Sequence, residues 1–183
     1  VLQNLRILTD QMNENDFLVI YFSGHAVGGP SSFLDSDAIV LHDDFVVDVE
    51  LEKWITDSGL RRNQVTLILD ACYSGSFADG IKRFPEEFQY RAFRKPGYTV
   101  LASSDNMNKS VQGPLGIDGK PYGFFTYHLV SGFLNGIADY NQDGKFTAYE
   151  LSRYINEQAR ISDLDQRVYL YPGDGSTRIF QYR

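Results

Sequence analysis

Short unbroken apolar runs alternate along the chain with stretches in which apolar residues recur every three or four positions. The runs FLVIYF (17–22), VTLIL (65–69) and GYTVLAS (97–103) are rich in β-branched and aromatic residues and are too short for helices. They lack the apolar-polar alternation of a half-exposed strand, so they predict strands buried on both faces. Between them, Leu2, Leu5, Leu8 and Met12 mark one face of a helix, as do Leu51, Trp54 and Ile55, then Phe125, Leu129 and Phe133, and finally Leu151, Tyr154 and Ile155. NEND (13–16) ends the first helix and Gly59 the second. DAIVL (37–41) and RVYLY (167–171) offer two further short strands. Buried strands alternating with amphipathic helices predict an α/β fold with a mostly parallel central sheet flanked by helices. Residues 74–96 and 105–121 carry no period and are expected to be loops, and loops of that length are commonly functional.

Composition narrows the class. A chain of 183 residues is enough for one sizeable core, so a single domain over 1–183 is expected. The formal net charge of −7 argues against nucleic acid or an anionic membrane as partner, because both select for clustered Lys and Arg. The 17–22 run is bounded by Asp16 and Ser23, far short of a membrane span, and Arg6 and Asp10 interrupt anything resembling a signal peptide. The single cysteine cannot form an internal disulfide, which makes the cytoplasm the expected compartment.

That cysteine, Cys72, stands two residues beyond the strand that ends at Asp70, and His25 stands three residues beyond the apolar run that ends at Phe22. In an open parallel sheet, chemistry collects outside the carboxyl ends of the strands. A thiol at its free pKa is a weak nucleophile and needs a base beside it, a role His25 can fill. His42 precedes two aspartates in a turn-like stretch and His128 lies within a helical pattern, so both are read as structural. His25 precedes Cys72 by 47 positions (25 to 72), near the roughly 50 of the caspase-type signature.

YFSGH (21–25) and LDACYSG (69–75) together resemble the caspase-like cysteine peptidases. The likeness is greater to metacaspases and bacterial caspase homologues than to animal caspases, because Asp70 precedes Ala71-Cys72 where animal enzymes carry Gln. It continues through GFFTYHLVSGFLNGIADYNQDGKFTAYEL (123–151). The resemblance implies a caspase-like fold whose sheet begins with a strand and a helix upstream of Val1, so a separate N-terminal piece is a candidate partner. It also implies that Cys72 attacks the scissile carbonyl, that His25 protonates the leaving amine, and that the backbone N–H groups of Cys72 and Ala26 hold the oxyanion. Ala26 replaces the family's usual Gly.

Asp70 lies two residues before Cys72, so along a strand its side chain leaves on the same face as the thiol. It is the expected acid of a pocket for a cationic substrate side chain, with Ser23 at the matching position two residues before His25. Asp105, just past the third strand, is a further candidate. The basic residues Lys82, Arg83, Arg94 and Lys95 make the 74–96 stretch a candidate for self-cleavage, by analogy with the linker that family members carry there.

DYNQDGKFTAYE (139–150) has EF-hand spacing. Asp139, Asn141, Asp143, Thr147 and Glu150 occupy positions 1, 3, 5, 9 and 12, Gly144 occupies 6, and Lys145 offers its carbonyl at 7, between two expected helices. Ca²⁺ is the implied cofactor, and the chemistry of the dyad requires none. Thr147 and Glu150 equally make a capping box for the following helix. The leading expectation is a cysteine endopeptidase acting on peptides or proteins after Arg or Lys. The competing readings are a catalytically impaired caspase-fold scaffold and a calcium-responsive interaction module.

Overall fold

A computed structural model describes residues 2–28, 37–79, 92–105, 109–113, 122–173 and 177–181. Its centre is a four-stranded sheet in the order β1 (Leu18–Ser23), β5 (Val65–Asp70), β6 (Thr99–Ala102), β10 (Tyr169–Tyr171). The first three strands run parallel and β10 is antiparallel to β6. Every residue of β5 and β6 is buried, as their continuous apolar character predicts, whereas β1 and β10 at the sheet's edges are only partly covered.

Side chains alternate across a strand, so each buried strand feeds two cores. Leu67, Leu69, Val100 and Ala102 join one cluster with Leu5 of α1 (Leu2–Thr9) and Leu51 and Ile55 of α2 (Asp48–Asp57). Ile68 and Leu101 join the opposite cluster with Phe124, Phe125 and Leu129 of α4 (Phe124–Leu134) and Leu151, Tyr154 and Ile155 of α5 (Ala148–Ile161). The sheet is therefore covered on both faces, which is the α/β architecture the periodicities imply. Among the described residues, no helix is long and apolar enough to cross a membrane.

Small antiparallel pieces surround this frame. β2 (Ala26–Val27), β3 (Ala38–Val40) and β4 (Phe45–Val47) form one, β7 (Gln112–Gly113) and β8 (Tyr122–Gly123) a second, and β9 (Lys145–Thr147) with β11 (Arg178–Gln181) a third. Except for β3, within DAIVL, these strands escape the sequence reading, because two to four residues are too few to establish a period. The expected 74–96 loop likewise contains the short helix α3 (Ser76–Asp79), and the expected 105–121 loop contains β7. His42 is exposed between β3 and β4. His128 is a core histidine of α4, with Phe124 at 4.3 Å and Tyr127 at 5.1 Å between ring centres, and burial lowers its pKa below the usual 6.5.

At the start of α2, Asp48 is 1% exposed and lies near the equally buried Asp37. Burial first, and then repulsion from Asp37, push its carboxyl up to about 7, against the pull of the N–H groups of Val49, Ala92 and its own residue. The folded protein thus keeps a proton that the unfolded chain releases near 3.8. The stability tied to that proton, on the order of a few kcal/mol, is full below pH 4 and is lost as pH rises through 7. Between pH 5 and 8 the melting temperature of the wild type should therefore fall more steeply than that of Asp48→Asn, which keeps the acceptor for Val49 without the charge; parallel thermal-denaturation profiles would rule this out.

Candidate active site

Parallel pairing in register, from Leu18↔Val65 to Ser23↔Asp70, ends β1 and β5 side by side. The ladder extends one step further, with the N–H of Gly24 donating to the carbonyl of Asp70 at 3.1 Å. Beyond these ends the chain places His25, exposed, and Cys72, half-buried, on one cleft of about 510 Å³ that Ser23, Asp70, Ser110 and Gln112 also line. A larger cavity of about 640 Å³ at the turn between α5 and β10 holds none of these groups and no cysteine or histidine.

The turn that carries Cys72 is braced by buried serines that follow β6. Ser103 Oγ accepts from the N–H of Ala71 at 3.1 Å and donates to its carbonyl at 3.2 Å, and Ser104 Oγ donates to the same carbonyl at 3.0 Å. The N–H of Ser74 donates to Ser104 Oγ at 3.2 Å, and that of Gly75 to the Ser104 carbonyl at 2.9 Å. The brace thus uses the N–H groups of Ala71, Ser74 and Gly75 and leaves that of Cys72 out. A Cβ on Gly75 would lie 2.7 Å from the Ser104 carbonyl oxygen, so only glycine permits this approach. Tyr73 takes a left-handed backbone, φ 58°, to complete the reversal. Sequence patterning does not single out Ser103 and Ser104; two hydroxyls following a wholly buried strand at the carboxyl edge of the sheet are the available signal.

On the other strand, the carbonyl of His25 accepts from the N–H of Val40 at 2.8 Å, which makes 25 and 40 a hydrogen-bonded antiparallel pair. The next pair, Ala26↔Ile39, is then of the alternate type, whose N–H groups turn away from the partner strand. Ala26 has no positive φ, so the usual glycine is not needed there.

Asp70, 5% exposed, is more heavily engaged than a simple pocket acid. Its Oδ1 accepts from Ser110 Oγ at 2.8 Å, and its Oδ2 from Thr126 Oγ1 at 2.6 Å and the Thr126 N–H at 3.2 Å. Because the one Thr126 hydroxyl proton goes to Asp70, Tyr21 is the donor in the 2.8 Å contact between Tyr21 OH and Thr126 Oγ1. Thr126 lies in the first turn of α4, whose own N-cap residue, Gly123, supplies no side-chain bond. Asp70 therefore caps that helix from a neighbouring strand, where a negative charge also meets the helix dipole favourably. A Cβ on Gly123 would stand 2.4 Å from Asp70 Oδ2 and displace the carboxylate. Asp105 is not among the cleft-lining residues; its main chain packs on Gly75 instead.

Residues 80–91, with Lys82 and Arg83, lie outside the described residues. Of the other two basic candidates, Arg94 is exposed, while Lys95 Nζ sits 3.0 Å from Glu52 Oε2 and its residue precedes Pro96.

In the 139–150 loop the oxygen donors suit a hard cation by type. Their contacts are internal, however. Asp139 accepts from the N–H groups of Asp143 and Gly144, Asn141 from that of Asp143, and Asp143 from that of Lys145, at 2.9 to 3.1 Å. Glu150 Oε2 accepts from the Thr147 N–H at 3.0 Å and its hydroxyl at 2.8 Å, completing the capping box of α5. Among the described residues, no three His, Cys, Asp or Glu side chains converge on a metal position. The loop completes the cap of α5, and no step of the chemistry below passes through it.

No family model and no curated protein matches the chain. Solved structures do: protein GSU0716 from Geobacter sulfurreducens superposes with a TM-score of 0.59 at 18% identity, over 98% of this chain and 76% of the other. At that identity the likeness speaks for the fold alone, a helix-flanked, mostly parallel sheet. Asp70→Ala should leave three donors unpaired and uncap α4, costing about 1–3 kcal/mol by urea denaturation with no substrate present. Wild-type stability in that variant would mean that the cap carries no weight.

Proposed function

We propose that the chain is a cysteine endopeptidase cleaving after Arg or Lys. The observation that carries this reading is the delivery of His25 and Cys72 from the ends of two in-register parallel strands onto one cleft that also holds the buried carboxylate of Asp70. His25 takes the thiol proton, and the Cys72 thiolate adds to the scissile carbonyl carbon. The resulting oxyanion draws on the N–H groups of Cys72 and Ala26. The intermediate collapses as His25 protonates the departing amine, leaving a thioester that water, deprotonated by His25, hydrolyses to free acid and thiol.

Specificity follows from charge. A cationic side chain leaving water must regain a negative partner, because an unpaired buried charge is costly. Asp70 supplies that partner, and no Lys or Arg is among the described lining residues. A substrate aspartate would meet like charge. Three of the roughly four acceptor positions of the Asp70 carboxylate are filled by Ser110 and Thr126, so the cation finds one open position and the field of the group.

Cys72→Ala and His25→Ala should each abolish hydrolysis of arginyl and lysyl peptides, with the double variant scarcely worse because the pair acts as one unit. Iodoacetamide should label Cys72 faster in the wild type than in His25→Ala. A positional peptide library in which the wild type prefers aspartate before the scissile bond would sink the specificity, and turnover by purified Cys72→Ala would sink the peptidase itself.

The same activity is proposed to cut the chain within 74–96. Lys95 is the poorest site there, since Glu52 holds its ammonium and the bond that follows is the tertiary amide of Pro96. Mass spectrometry after incubation should find the wild type cut after Lys82, Arg83 or Arg94 and Cys72→Ala intact. Both remaining whole while a peptide is hydrolysed would remove self-cleavage from the proposal.

A further inference from the structure

Both backbone groups of Val111 are taken up from elsewhere in the fold. Its N–H donates to Gln166 Oε1 at 2.9 Å, and its carbonyl accepts from the N–H of Phe124, the first residue of α4, at 3.0 Å. The residues on either side of it, Ser110 and Gln112, line the cleft, as alternation in an extended segment allows. Ser110 holds Asp70 Oδ1, and Gln112 opens β7 opposite Gly123 of β8, which abuts Asp70 Oδ2. Fixing Val111 therefore fixes one wall of the pocket around Asp70.

Gln166 does this from outside the cleft. It lies in the connection between α5 and β10, 4% exposed, and borders the separate 640 Å³ cavity. Its connection is tied to α5 by Asn156 Oδ1, which accepts from the Val168 N–H at 3.0 Å. The Nε2 of Gln166 is buried without a hydrogen-bond partner among the described residues. Burying an unsatisfied amide N–H is unfavourable, so an apolar side chain would fill this position better if packing were its task. What an apolar residue lacks is the acceptor for Val111.

We propose that Gln166 is a positioning residue of the specificity pocket: its amide oxygen holds the 109–113 segment so that Ser110 meets Asp70 and Gln112 walls the cleft. This rests on the peptidase reading above and assigns the position of the pocket wall to a residue that touches no substrate. The nucleophile turn is braced independently by Ser103 and Ser104, so loss of the Gln166 contact falls on binding of the basic side chain and spares the dyad.

Steady-state kinetics on arginyl and lysyl peptides test this in the full chain, with wild type, Gln166→Met, Ser110→Ala and the double variant. Gln166→Met keeps the shape and removes the acceptor; it should raise KM about tenfold, the factor produced by roughly 1.4 kcal/mol of lost hydrogen bonding, with kcat within about threefold. The iodoacetamide labelling rate of Cys72 should not change, and the double variant should fall clearly short of the two single effects added together, since Gln166 acts in part through the Ser110 contact. An unchanged KM, a loss confined to kcat and labelling, or fully additive effects on KM would overturn the proposal. Gln166→Asn, which withdraws the same amide by one methylene, is read by the same criteria if the methionine variant does not fold. Wild type that hydrolyses none of these peptides brings down the peptidase reading and this proposal together, whereas active wild type with indistinguishable Gln166 variants brings down this proposal alone.

Discussion

Six consecutive residue pairs lock Leu18–Ser23 against Val65–Asp70, and the geometry of the cleft descends from that register. Shifting one strand by a single residue would turn every side chain to the opposite face. It would carry Leu67 and Leu69 out of the core they share with α1 and α2, and move Asp70 away from its place beside Ser23. The register is held chiefly by β5, buried on both faces, whose alternate side chains feed two cores that accept only one phase of the alternation. His25 and Cys72 inherit their common cleft from this, each a residue or two past the last locked pair.

Asp70 shows how closely site and fold are joined. One carboxylate ends the central strand, caps α4 through Thr126, receives Ser110 from the β6–β7 connection and borders the cleft. Three donors hold it in one orientation, which is the preorganisation that the proposed charge-selective pocket needs, since an acid already fixed does not have to reorder when a cation arrives. The same bonds make the acid costly to alter. Any substitution at Asp70 also acts on the helix it caps.

The pocket rests on supports that come from different elements. Ser103 and Ser104 hold the turn that carries Cys72 from the end of β6, Tyr21 backs Thr126 from β1, and Gln166 holds Val111 from beyond α5. Buried polar groups of this kind keep their geometry only while every partner stays in place.

Much of this was legible in the residue order. The unbroken run VTLIL marks a strand buried on both faces, the three-to-four spacing of Leu151, Tyr154 and Ile155 marks a helix with one apolar face, and Thr147 with Glu150 announces the cap of α5, whereas the similar run FLVIYF forms an edge strand that is only partly covered. These signals are local, written in neighbours a few positions apart. That His25 and Cys72 come to one cleft was legible as well, because parallel strands deliver whatever follows them to one edge. Tertiary structure alone decided that Asp70 caps a helix 56 residues away, that Ser103 braces Ala71 across 32, that Val111 hangs from Gln166 across 55, and that Asp105 packs on Gly75 rather than lining the cleft. The reason is physical: a serine, a glutamine or an aspartate carries the same donors and acceptors wherever it stands, and only the packed chain selects which of many distant partners it meets.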